Sequence, residues 1–120
     1  MEIYNFTKVI KWDPIVNDVD GNPISADQVM YRVYVKDAED DERVECLGMV
    51  EEPEVLLASL LPSEIMQPGT TVYLGISALR FIDGDVDMES DIAWSNSNDS
   101  DILFAIAYAG KLTKPHILRP

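Results

Sequence analysis

The chain has 120 residues, with 22 Asp and Glu against 9 Lys and Arg, a formal net charge of −13. Apolar residues make up 47% and charged residues 26%, the balance of one folded domain rather than a disordered chain. Nine scattered bases do not build the cationic surface that a phosphate backbone or an anionic bilayer requires, so nucleic acid and membrane partners are not expected.

Short segments rich in β-branched and aromatic residues, separated by turn residues, dominate the chain. Residues 6–12 alternate, with Phe6, Lys8, Ile10 and Trp12 on one face, until Asp13-Pro14 stops them. A turn cluster spans 17–23 around Asp20-Gly21-Asn22. Residues 29–36 read as a strand, with Tyr31, Val33 and Val35 on one side and Met30, Arg32 and Tyr34 on the other. An acidic loop at 37–42, a strand at 43–50 and a short strand or helical turn at 54–61 follow. Pro62-Ser63-Glu64 suits the cap of a single turn, and Pro68-Gly69 marks another turn. Residues 70–80 alternate clearly, with Val72, Leu74, Ile76 and Ala78 opposite Thr71, Tyr73, Gly75, Ser77 and Leu79. Residues 83–91 read as an acidic loop and 95–101 as a polar spacer. Residues 102–108 read as a last strand ended by Gly110. Six or seven antiparallel strands without a long helix predict an all-β sandwich.

Little in the sequence points to catalysis. His116 is the only histidine and lies near the end of the chain beside Pro115, where a general base would be poorly held. Cys46 is the only cysteine, so no disulfide or cysteine metal site can form, and its alternating context predicts a small buried hydrophobe. No nucleophile elbow or glycine-rich phosphate loop is present, and no enzyme activity or cofactor is expected. A glycosidase would need two carboxylates across a cleft, and a small sandwich has no insertion to form one. Calcium is the one ion whose donors are closely spaced, at Asp18 and Asp20 and at Asp83, Asp85 and Asp87. Neither stretch fits an EF-hand loop, because glycine falls at the fourth position in the first and Met88 takes its place in the second. No metal site is assigned.

Two features remain as contact surfaces. Asp83, Asp85, Asp87, Glu89 and Asp91 occupy alternate positions, so an extended backbone would present a comb of carboxylates to a basic partner. Tyr34, Tyr73 and Trp94 are candidate exposed aromatics, able to stack on a sugar or anchor a protein interface.

Four pieces carry a family resemblance: residues 9–14 (Val-Ile-Lys-Trp-Asp-Pro), the turn 20–24, the strand 31–35 (Tyr-Arg-Val-Tyr-Val), and the run from Pro68-Gly69 through Ala78 with Glu89-Ser90 and Trp94-Ser95-Asn96 after it. In this order they resemble a fibronectin type III domain, particularly its bacterial and bacteriophage varieties, over residues 6–108. The resemblance implies an immunoglobulin-like β-sandwich. Its B strand would carry a core tryptophan, Trp12, facing Tyr31, Val33, Val72, Leu74 and Ile76. It also implies a spacer or interaction module.

Three departures stand out. Val72 replaces the tyrosine at the entry to the F strand, residues 97–101 look inserted, and only five residues precede Phe6 where an A strand belongs. Residues 114–120 instead read like a proline-led A strand, which divides the chain into a sandwich at 1–110 and a tail at 111–120. The tail either supplies the missing edge strand, to its own sandwich or to a neighbour, or is a frayed end. The expected function is a non-enzymatic structural or adhesive module, such as a bacteriophage virion accessory protein. It would work by self-assembly or by a protein partner through an edge strand or loops, in a virion or extracellular setting. The alternative is a spacer or weak carbohydrate-binding domain of a secreted bacterial multidomain protein.

Overall fold

A computed structural model describes residues 1–60, 64–108 and 114–120. Among them the chain is all-β, with no α-helix. Nine strands form: β1 (Glu2–Asn5), β2 (Val9–Lys11), β3 (Val29–Asp37), β4 (Val44–Val50), β5 (Glu54–Leu56), β6 (Thr71–Ile82), β7 (Asp85–Glu89), β8 (Ala93–Trp94) and β9 (Phe104–Ala107). The large sheet runs β1-β9-β6-β3-β4, with β7 and β8 also on β6, and β2 pairs with β5 in a sheet of two.

The period-two pattern decides which side chains go inside. Tyr31, Val33 and Val35 of β3 lie opposite Ala78, Ile76 and Leu74 of β6, so one face of the large sheet is continuously apolar. Val55 of β5 and Leu57 beyond it close over that face, with Ile10 and Trp12 packed alongside, and the two layers share one core with Leu47, Val72, Phe104 and Ile106. Each such aliphatic side chain stabilises the fold by about 1.5–3 kcal/mol. Trp12 meets Tyr31 edge to face at 5.3 Å. The Tyr31 hydroxyl accepts the Ile15 N–H at 2.9 Å, which pins the chain as it leaves β2.

The structure departs from the sequence expectations in several places. The sheet is mixed rather than antiparallel throughout, because β1 pairs parallel with β9, from Glu2 opposite Phe104 to Asn5 opposite Ala107. A strand therefore does precede β2, but it joins the last strand rather than the edge of β2. The expected strand at 6–12 is cut short by Asn5, whose side-chain oxygen accepts the Thr7 N–H at 3.0 Å while its carbonyl accepts the Lys8 N–H at 2.9 Å. That turn leaves only Val9–Lys11 paired with β5.

Residues 83–91 are not a loop. Asp83 (φ 53°) and Gly84 (φ 84°) form a two-residue hairpin turn, and β7 folds back on β6. Cys46 is exposed rather than buried. The β3–β4 register shifts between Val33 and Tyr34, and this bulge turns Leu47 into the core in place of the cysteine. Residues 114–120 form no strand and are exposed throughout. The expected cap at Pro62-Ser63 and the strand end at Gly110 lie outside the described residues.

Candidate functional site

The outer face of the large sheet, away from the core, collects Tyr34, Tyr73, Trp94 and Glu89 of the residues that the sequence singled out. Pairing places Arg32 beside Ser77, Tyr34 beside Gly75, and Lys36 beside Tyr73, while Trp94 of β8 lies across Gly75 on its other side. Glu89 of β7, opposite Leu79, reaches over this face. It accepts hydrogen bonds from Ser77 Oγ at 2.6 Å, Tyr34 OH at 2.7 Å and Arg32 Nη1 at 2.8 Å. The Ser77 bond is the main cause that holds the Glu89 carboxyl below the usual range, followed by the Tyr34 bond and the Arg32 charge, against an opposing effect of burial.

Trp94 is occupied too. A methyl group placed on Gly75 would fall 2.6 Å from Cε3 and Cζ3 of the indole, so glycine is what lets that ring lie on the sheet. Lys36 Nζ sits 4.4 Å from the Trp94 ring centroid and 5.9 Å from that of Tyr73. This face is a tightly interlinked polar and aromatic surface, not an open aromatic platform.

The carboxylate comb does not hold together. A bulge between Arg80 and Phe81 sets Glu89 opposite Leu79 but Asp85 opposite Ile82, so the two acids stand on opposite faces of the hairpin. Asp87 binds Arg80 in an ion pair, Asp83 sits in the turn, and Asp91 lies beyond the strand. Asp18 closes its own turn, accepting the N–H groups of Asp20 and Asn22 at 2.9 Å each, and the Asn22 N–H is the main cause that lowers its carboxyl pKa. Among the described residues no group of three or more His, Cys, Asp or Glu side chains is placed to hold a metal ion.

The second candidate surface lies on the core side. Two short strands cannot cover a seven-stranded sheet, and the uncovered part opens as a groove of about 640 Å³. Ile10, Trp12, Tyr31, Ile76, Ala78 and Phe104 line its apolar wall. Asp13, Asp91, Asp99 and Asp101 stand on its margin, and none of the four has an ion-pair partner among the described residues.

One rim of the groove is the free edge of β2. The Trp12 N–H donates to the Pro53 carbonyl at 3.0 Å. Antiparallel bonding alternates, so Ile10 and Trp12 direct their backbone groups to β5, and those of Val9 and Lys11 face the open side. Trp12 Nε1 is buried with no hydrogen-bond partner among the described residues. A donor left over in this way costs about 1–3 kcal/mol.

Sequence reasoning missed Ser95, which it placed in a polar spacer. Ser95 is buried, and its hydroxyl accepts the Leu74 N–H at 3.0 Å and donates to the Phe104 carbonyl at 2.8 Å. Its own N–H donates to Leu74 O at 2.8 Å, and its carbonyl accepts the Phe104 N–H at 3.0 Å. It joins β6 to the start of β9 and so shapes the far wall of the groove. Its only sequence signal was its position between an apolar pair, Ala93-Trp94, and a run of turn formers. Comparison with family models, with curated proteins and with solved structures finds no match to this chain, so the functional reading rests on this geometry.

Proposed function

We propose that the chain is a non-enzymatic structural or adhesive module of fibronectin type III type, working by protein–protein contact through the open side of its two sheets. The observation that carries this reading is the apolar groove bordered by the unpaired edge of β2. Exposed strand edges next to apolar surface are templates for strand addition. The arrangement of strands supports the family reading: the B-like segment, β2, lies in one sheet and the C-like and F-like segments, β3 and β6, pair in the other. The core position of Trp12 against Tyr31 agrees with it.

A virion accessory role follows from the bacteriophage variety of that resemblance. Purification of particles from a phage whose genome encodes the chain tests it: the chain is expected in stoichiometric amounts, and its absence from the particles, or from phage genomes altogether, rejects the role. A substitution at the groove, Ile76→Asp, is expected to abolish incorporation while Asp85→Ala at the hairpin tip leaves it unchanged. The competing reading, a weak carbohydrate-binding spacer, draws on Tyr34, Tyr73 and Trp94. The contacts of Trp94 with Gly75 and Lys36 and of the Tyr34 hydroxyl with Glu89 take up the surfaces a sugar would use. Glycan-array binding that Trp94→Ala removes would replace the first reading with the second.

A further inference from the structure

The chain carries a segment whose chemistry matches the groove. Residues 114–120 are Lys-Pro-His-Ile-Leu-Arg-Pro, exposed along their whole length, with Ile117 89% and Leu118 80% exposed. None of them lines the groove of their own chain. We propose that residues 114–120 of a second copy dock in the groove as an added strand on the free edge of β2. The proposal rests on the reading of the groove as a protein-contact surface and names what fills it.

Three independent features match. The first is length and hydrogen bonding. Pro115 and Pro120 bracket His116, Ile117, Leu118 and Arg119, whose N–H groups are available to a ladder, and β2 is three residues long. Proline at the ends of a short edge strand is compatible with pairing and stops it from extending. The docked strand also brings carbonyl groups to the wall that holds the unpartnered Trp12 Nε1.

The second feature is apolar burial. Ile117 and Leu118 are among the most exposed large hydrophobic residues, and since neighbours on a strand point to opposite faces, one of the two meets Ile10, Ile76 and Ala78 in the groove.

The third is charge. The body is strongly acidic, whereas the tail carries Lys114 and Arg119 and no acid. The four aspartates on the groove margin lack cations among the described residues. The two lysines on the same margin are engaged already, Lys8 with the Tyr4 ring at 5.2 Å and Lys11 with Glu54 at 3.9 Å. A chain with a net charge of −13 opposes casual self-association. A basic tail meeting an acidic margin gives an attractive encounter between two copies.

The test uses the 120-residue chain and its Ile117→Asp/Leu118→Asp variant, whose changes lie on exposed positions and should leave the melting curve unaltered at concentrations too low for association. Sedimentation equilibrium on the wild type is expected to show concentration-dependent association that weakens with salt. In the variant that association falls by about tenfold or more, equivalent to about 1.4 kcal/mol. A synthetic peptide of residues 114–120 should bind the variant and change the Trp12 fluorescence in a Trp94→Phe background. Asp91→Lys/Asp101→Lys should weaken that binding. Wild-type chain that stays monomeric throughout, or association that the tail variant does not alter, overturns the proposal. A monomer in which the tail variant alone unmasks Trp12 also overturns it, since the chain's own tail then fills the groove. Protection of Trp12 by a different protein, equal in wild type and tail variant, rejects this occupant while leaving the groove's contact role intact.

Discussion

Single side chains hold this molecule together where strand pairing is interrupted. Ser95 supplies both hydroxyl bonds that carry β6 over to β9, within the core. Ser95→Ala takes the hydroxyl partner from the buried Leu74 N–H and from the Phe104 carbonyl. Thermal or urea unfolding is expected to show a loss of about 1–3 kcal/mol. Glu89 gives a pH-dependent counterpart. Its carboxyl is held below the ordinary value of 4.5, so the native state favours the ionised form. The stabilisation it provides is complete above that ordinary value and disappears as pH falls through the lowered native value. Glu89→Gln should lower the melting temperature at neutral pH and flatten its decline in acid, as a series of melting curves would record. Trp12 and Tyr31 were legible in the sequence because a large aromatic in an alternating segment has few places to go. Ser95 was not, because nothing in a polar run tells a buried serine from a solvated one.

At the scale of strands, alternation told the truth about faces and little about partners. The outward set Tyr34, Tyr73, Gly75 and Ser77 and the inward set Val33, Val35, Val72 and Leu74 both stand where a period of two puts them. What alternation could not convey was each bulge. One at Val33/Tyr34 exchanged Cys46 for Leu47 in the core, and one at Arg80/Phe81 broke the comb of acids. A bulge inserts a residue without altering local composition, so it is invisible until the partner strand is known. Asp83-Gly84 was a readable hairpin signal hidden by the acidity around it. The short β8 depends on a close approach, the indole of Trp94 resting on Gly75. Gly75→Ala puts a methyl group 2.6 Å from that ring and 2.7 Å from Ile92 Cγ2, so β8 must shift. The expected cost is about 1–3 kcal/mol, and Trp94→Leu in the same chain should recover part of it, a coupling that a double-mutant cycle measures.

Over the whole molecule, charge sets the terms. Only four ion pairs form among the described residues, involving Glu54, Glu89, Asp37 and Asp87, against 22 acids in the chain. Repulsion among the rest opposes the compact state. Raising ionic strength from about 0.01 to 0.15 M, where the screening length shrinks from about 30 to 8 Å, should raise the melting temperature, as calorimetry would show. The all-β class was legible from composition and period, whereas the parallel β1–β9 pair was not, since it joins segments a hundred positions apart that share no local pattern. That pair carries a kinetic consequence. Glu2–Asn5 is synthesised well ahead of its ladder partner Phe104–Ala107. Until that partner is made, the earlier segment must wait unpaired. The large sheet closes only once both segments are present, which makes its completion a late event governed by loop closure rather than by local propensity.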